Sequence, residues 1–387
     1  MRRKRGWSAV VRGCAAVVLA VVCAVPAMGV QHKQVAAARH PKTRLAATIQ
    51  TLLADPKIEG AHWGISVTRM DGTPVYALND QQLFQPASNV KLFTTAAALG
   101  LLGVKATFET TVEAVGVFAG AERYKGDLYL YGHGDANLSG RAIPYTPNTD
   151  EKFPPLRYLD DLAAQVAQSG LKTIDGDIYA ISTPAKDEPY GEGWNLDDLP
   201  WGYGAPVSML SINDNQLRLT ITPTTVSERA AIEIVPSIPY YNLQNDVMTV
   251  DGKAEAHIQI ERVQGSKTLR VYGTIGLTAA PDVEHISIDD PAEFAGLALK
   301  QLLEQHGVAM EGRVIANHMV NEDARSFREI SHEPLPGLSS SSVNMSMVRG
   351  LSSCSAPCVR KELARHVSPT LLDDVIVTNK VSQNLHA

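Results

Sequence analysis

The stretch FQPASNVKLFTTAAALG, residues 84–100, sets a proline and a short polar cluster directly before an apolar, alanine-rich run. Alanine and leucine are strong helix formers and proline favours helix starts, so the spacing predicts a helix beginning near Ala87. Ser88 and Lys91 then lie on one helix face, one turn apart. A serine hydroxyl is a weak nucleophile until a base takes its proton, and lysine serves as that base only where its surroundings lower its pKa and leave it neutral. A serine at a helix N-terminus also sits beside backbone N–H groups and the positive end of the helix dipole, which favour developing negative charge. The alternative is structural, with Ser88 as a cap and Lys91 as a solvated first-turn residue, and S-x-x-K alone does not separate the two.

Outward from this stretch the pattern is mixed. RLAATIQTLLADPKIEG (44–60) reads as a short amphipathic helix, and HWGISVTRMDGTPVYALN (62–79) as a hairpin turning at Asp71-Gly72. A hairpin followed by a buried helix is an α+β beginning. Between about 105 and 285 short β-rich runs alternate with Gly, Pro, Asp and Asn turns, among them TFETTVEAVGVF, GDLYLYGHGD, TIDGDIYAIS, NQLRLTITPT and TLRVYGTIG. Helical periodicity returns at DPAEFAGLALKQLLEQHGV (290–308), which Asp290 is placed to cap. The predicted architecture is one α+β domain interrupted by a large β-rich insert. Residues 326–361 are Ser-rich and aperiodic, and read as an irregular segment; pattern resumes at SPTLLDDVIVTNKVSQNLHA (368–387).

The chain has 387 residues, 44% hydrophobic and 20% charged, which fits a folded protein of more than one domain. Residues 1–29 carry a basic start, the apolar run AAVVLAVVCAVPAMG and small residues at Ala27 and Gly29, the pattern of a cleaved export signal. Its removal takes away five basic and no acidic residues and moves the net charge from −6 to −11. An exported acidic chain in the periplasm or cell envelope is a poor fit for nucleic-acid binding, and no later segment is apolar enough for a stable membrane span. Cys354 and Cys358 are the cysteines left, too few for a disulfide scaffold or, with His366, for a metal site. No metal or organic cofactor is implied. His62, His133, His257, His285 and His306 are scattered singly and no G-x-S-x-G occurs, so a Ser-His-Asp triad is not indicated.

FQPASNVKLFTTAAALG resembles, nearly residue for residue, the active-site stretch of the penicillin-binding D-alanyl-D-alanine carboxypeptidases/endopeptidases of the class C, low-molecular-mass type. GDLYLYGHGDANLS (126–139), YGEGWNLDDLPWGYGAPVSMLSINDN (190–215) and TNKVSQNLHA (378–387) resemble further stretches of that family in order. The resemblance spans roughly residues 44–325 and 362–387. It implies a serine DD-peptidase/β-lactamase-like domain at 30–107 and 286–387, interrupted by an insert at 108–285 with a nested subdomain near 137–200. It further implies an acyl-enzyme on Ser88 with Lys91 as base, and an S-x-N motif at Ser382, Gln383 and Asn384. Ser382 would relay a proton to the leaving group, and the Asn384 amide would hold the substrate backbone and orient the lysine. The substrate would be a peptidoglycan stem peptide, with β-lactams as covalent inhibitors.

A second S-x-N, Ser211 to Asn213, falls inside the insert segment and reads as structural by position. Trp194, Asp197, Asp198, Trp201 and Tyr203 form an aromatic and acidic cluster suited to a stem with a free amine, or equally to a buried corner with capping aspartates. The family's K-T-G strand does not follow Asn384. The expectation is therefore a product truncated before K-T-G, with part of the opening helix's apolar face uncovered and activity impaired; one lost oxyanion donor alone costs about 100-fold to 1,000-fold. The competing readings are a non-catalytic cell-wall binding protein and a β-lactamase.

Overall fold

The computed structural model describes residues 43–148, 152–182, 188–191, 193–253, 255–263, 265–318 and 359–387, together with Arg325 and Glu329. The proposed export signal, Cys354 and Cys358, and nearly all of the Ser-rich segment lie outside the described residues. The chain forms two compact units, Met1–Gln85 and Pro86–Ala387.

In the first unit, helix α1 (Arg44–Leu53) begins where the Thr43 hydroxyl accepts from the Ala46 N–H at 3.2 Å. Strands β1 (Ile65–Thr68) and β2 (Pro74–Leu78) pair antiparallel, with a register shift between Val67 and Thr68. The turn between them closes with the Thr73 N–H on Asp71 Oδ1 at 2.9 Å and Gly72 at φ +83°, a conformation that favours glycine.

The second unit opens with helix α2 (Val90–Leu102) and a mixed sheet of β3 (Glu109–Phe118), β4 (Arg123–Gly132), β5 (Thr173–Asp175) and β6 (Ile178–Ser182). Between β4 and β5 runs helix α3 (Arg157–Gln168), whose Leu159, Leu162, Ala163 and Val166 recur at helical spacing and are all buried. Two further sheets follow. One joins β7 (Gln216–Thr222) to β8 (Ala231–Val235) and later β12 (Asp282–Ser287); the other joins β9 (Asn242–Val250), β10 (His257–Arg262) and β11 (Thr268–Gly276). Helix α4 (Pro291–Gln305) is capped by Asp290, which accepts from the Glu293 N–H at 3.0 Å. Then β13 (Ala309–Met310), β14 (Val314–His318) and β15 (Val359–Val367) return to the first sheet, and helix α5 (Leu371–Val381) follows.

The architecture is α+β, as expected, and one reading is corrected. Helix α4 packs on β6, β13, β14 and α3, and β14 pairs parallel with β6. One continuous core links Leu128 and Leu130 on β4, Leu219 on β7, Val271 on β11 and Phe294 on α4. Residues 359–361, read as irregular, belong to β15, which pairs them with Gly116, Val115 and Ala114 of β3. In α2, Leu92, Phe93 and Leu101 are exposed, and its buried residues are Lys91 and Thr95, on the side that meets α5.

The β3/β15 ladder is what positions the site. The strands run antiparallel with Glu109 opposite Val367, so the end of α2 and the start of α5 leave the sheet side by side. The connections bond to each other: Leu371 N–H donates to the Ala106 carbonyl at 2.8 Å, and Ser368 N–H to the Phe108 carbonyl at 2.8 Å. The helices have 13 and 11 residues, about 20 and 17 Å at 1.5 Å per residue. Antiparallel and matched in length, they bring the residues after α5 back to the start of α2.

Candidate active site

Pro86 and a single 3₁₀ turn, Ala87–Asn89, lead into α2. Ala87 takes φ +46°, a left-handed conformation rare outside glycine, immediately before Ser88. Ser88 is exposed, whereas Lys91, one turn on, is 8% exposed. The Lys91 ammonium donates to Ser88 Oγ at 3.0 Å, to Ser382 Oγ at 3.4 Å and to Asn384 Oδ1 at 2.6 Å. Ser382 Oγ in turn donates to Ser88 Oγ at 2.8 Å. Ser88, Ser382 and Asn384, read from the sequence, thus converge on the Lys91 amine, the last two across 291 and 293 residues.

Burial lowers the Lys91 pKa below its usual value. Among the described residues no carboxylate forms an ion pair with it, so nothing of opposite charge restores the proton that burial disfavours. Once neutral, the amine keeps two N–H groups, enough for Ser382 and Asn384, and its lone pair faces the Ser88 hydroxyl.

The Asn384 amide is oriented from both ends. Oδ1 accepts from Lys91, and Nδ2 donates to the Tyr203 carbonyl at 2.8 Å. The amide expected to hold the substrate backbone thus bonds, through its nitrogen, to the main chain of Tyr203. Tyr203 reaches the site through its main chain, while its hydroxyl donates to Asp198 Oδ1 at 3.0 Å. Its loop closes tightly: a Cβ at Gly204 would collide with the Asp198 carbonyl. Trp194 and Asp197 lie exposed on the same loop, and no hydrogen bond joins either to the four central residues.

The second S-x-N behaves as structure. Ser211 is buried and donates to the Ser208 carbonyl at 2.8 Å, and Asn213 bonds the Gln216 carbonyl at 2.8 Å. The next residue, Asp214, is marked by no motif in the sequence, and it matters. It is buried, is bonded by Arg141 at 2.5 Å and by Gln383 Nε2 at 2.9 Å, and lies 3.2 Å from His386. His386, equally unmarked, is bound on its other nitrogen by Asp374 at 2.7 Å. A cavity of about 700 Å³ is lined by Arg141, Asp214, Arg218, His285, Val381 and Gln383, which include the residue before Ser382 and the one after it. No helix among the described residues is long and apolar enough to cross a membrane.

An α+β chain in which a serine and a buried lysine one turn apart meet an S-x-N tripeptide has the architecture of the penicillin-binding serine DD-peptidases. The chain belongs to the D-Ala-D-Ala carboxypeptidase 3 (S13) family, matched over residues 45–347. Ser88 and Lys91 fall inside the match, and Ser382 and Asn384 beyond it. The chain is similar to the D-alanyl-D-alanine carboxypeptidase of Actinomadura sp. (strain R39), 33% identical over 279 residues, covering 70% of this chain and 49% of that protein. It spans about half the length of the curated relatives it matches. In fold it resembles the crystal structure of penicillin binding protein 4 (dacB) from Haemophilus influenzae, with a TM-score of 0.60 at 19% identity, over 84% of this chain and 60% of that one. The same protein complexed with a novel β-lactam gives 0.54 at 18% identity, over 84% and 58%.

Proposed function

We propose that this chain is an exported serine-type D-Ala-D-Ala carboxypeptidase/endopeptidase that trims peptidoglycan stem peptides through an acyl-enzyme on Ser88. The observation that carries the reading is the convergence of Ser88, Ser382 and Asn384 on the buried Lys91 amine, with separations of 3.0, 3.4 and 2.6 Å. Family membership supports the same substrate class.

In this reading Ser88 Oγ attacks the carbonyl carbon of the terminal D-alanyl-D-alanine bond and its proton passes to Lys91 Nζ. Backbone N–H groups and the dipole at the start of α2 lie beside the charge that develops. The C–N bond then breaks, and the departing amine takes a proton relayed from Lys91 through Ser382 Oγ, which touches both Lys91 and Ser88. Free D-alanine leaves and an ester remains on Ser88. Water, deprotonated by Lys91, cleaves that ester and frees the shortened stem. A β-lactam carbonyl enters the same first step, and its ring holds the leaving nitrogen in place. The exposed loop of Trp194, Asp197 and Tyr203, anchored by Asn384 at the Tyr203 carbonyl, is the wall offered to the stem.

The test is release of free D-alanine from a tripeptide ending in D-alanyl-D-alanine. Time-linear release by the purified chain is expected, reduced at least about 1,000-fold in Ser88→Ala. No release by the wild-type chain contradicts the proposal and favours a non-catalytic peptidoglycan-binding protein; rapid turnover of a chromogenic cephalosporin with no D-alanine release favours a β-lactamase.

A further inference from the structure

Residues 382–386 reverse direction after α5. Ser382 takes a left-handed conformation (φ +57°, ψ +40°), and the Gln383 N–H donates to the Thr378 carbonyl at 3.2 Å. The chain comes back far enough for His386 to meet Asp374, which lies in the first turn of the same helix. The His386 side chain is wholly buried, with Nδ1 2.7 Å from Asp374 Oδ1 and Nε2 3.2 Å from Asp214 Oδ1. A carboxylate on each ring nitrogen requires both nitrogens to donate, which only the imidazolium does.

Each carboxylate is held further. Asn137 Nδ2 donates to Asp374 at 3.0 Å, and Arg141 and Gln383 donate to Asp214 at 2.5 and 2.9 Å. Two cations and two carboxylates, supplied by the segment after β4, the 213–215 turn, α5 and the residues beyond α5, make a charge-balanced buried cluster. Its outer neighbours are Asp135, after β4, and His366 on β15, whose Nε2 lies 3.5 Å from Asp135 Oδ2.

We propose that His386 is a positioning residue: its grip on Asp214 and Asp374 pins the far arm of the Ser382–Gln383–Asn384 reversal, so that Ser382 Oγ and Asn384 Oδ1 stay on Lys91. The near arm is covalently tied to α5, and Gln383, between the two site residues, is tied to Asp214. Without the His386 anchor the bonds of Gln383 to Asp214 and of Asn384 to the Tyr203 carbonyl remain, but the pull of the returning segment toward Asp374 is lost. The catalytic part of this inference rests on the peptidase reading; the grip itself rests on the burial and bonds of His386.

Burial alone pulls the imidazole pKa down, but the hydrogen bonds and charges of Asp214 and Asp374 outweigh it and raise the value to about 9. Burial pushes the Asp214 carboxyl up, and the His386 bond with the His386 and Arg141 charges holds it well below its usual range instead. A group raised in the folded state contributes stability that is complete below its unfolded value, about 6.5, and that is lost as pH climbs through about 9. Asp135, pushed up to about 6 by burial, titrates below this window.

The experiment compares the whole purified chain with His386→Gln, a neutral residue at every pH used. Two quantities are read from about pH 7 to about 10.5: the rate of Ser88 labelling by a fluorescent penicillin, and the melting temperature. Labelling by the wild type is expected to be about 10-fold to 100-fold faster at pH 7, and the ratio is expected to fall to within about 3-fold at the alkaline end. The melting comparison reads the His386 grip without passing through the Lys91 chemistry. The melting temperature of the variant is expected to lie about 5 °C lower at pH 7, with the gap closing over the same range. A labelling ratio and a melting gap that stay flat with pH overturn the inference. If the wild type takes up no label at any pH, the peptidase reading fails, and the melting comparison decides the grip by itself. Should His386→Gln not fold, Asp374→Asn, which removes one arm of the grip, carries the same comparison.

Discussion

Exchange of Lys91 for methionine is expected to slow acylation of Ser88 by about 10³-fold to 10⁴-fold while the chain still folds, because a positioned general base contributes up to about 10⁴-fold. Methionine keeps most of the aliphatic stem and removes the amine on which Ser88, Ser382 and Asn384 converge. No carboxylate among the described residues depends on that amine, so no buried anion is stranded by the change. The pH profile sharpens the test. Burial holds the Lys91 pKa below its ordinary value of 10.5, so wild-type acylation should rise with pH along a limb whose midpoint lies below that value. The limb should vanish in Lys91→Met. Lys91→Arg should be no better, since guanidinium does not give up its proton in this range. A methionine variant within about 10-fold of wild type across the profile would mean that another group takes the Ser88 proton.

After Ser88 and Lys91, Asn384 should be the most sensitive position, and aspartate there should be at least as damaging as alanine. Alanine removes the bond to Lys91 and the bond to the Tyr203 carbonyl together, with an expected loss of about 100-fold in acylation rate from misplacement of the amine. Aspartate has the shape of asparagine but sets a carboxylate 2.6 Å from the amine. Opposite charge at that range raises a lysine pKa by about 1–3 units, which keeps Lys91 protonated and idle at neutral pH. It also faces the Tyr203 carbonyl with an acceptor where a donor stood. The acylation limb of Asn384→Asp is therefore expected to move to higher pH, whereas that of Asn384→Ala should not move upward. An aspartate variant with an unshifted limb and a rate within about 3-fold of wild type contradicts this role.

The parts of the site carried by local spacing are legible in the sequence. Ser88 and Lys91 follow from a three-residue step into a helix, and the α2 start and the Asp290 cap appear where propensity places them. Ser382 and Asn384 are reached through resemblance, since nothing local joins them to Ser88; the link is the β3/β15 ladder. That ladder is hidden because VRKELARHV does not alternate and follows an aperiodic stretch, and its first residues are exposed at a sheet edge. Helix α3 escapes the strand-rich reading of its interval although Leu159, Leu162, Ala163 and Val166 carry its period, because the neighbouring β-rich runs dominate the pattern there. Asp214 is masked by the S-x-N before it, and His386 by being a lone histidine whose two carboxylates are 12 and 172 residues away in sequence. Buried ionic partners at such separations have no sequence period, so only the fold reveals them.

The central claim is that Ser88 is the nucleophile that Lys91 activates. Intact-mass measurement of the purified chain after incubation with benzylpenicillin tests it most directly, followed by peptide mapping of the adduct. One penicilloyl group per chain, mapped to Ser88 and absent from Ser88→Ala, is the predicted result. No adduct at any concentration, or one that persists in Ser88→Ala, would contradict it.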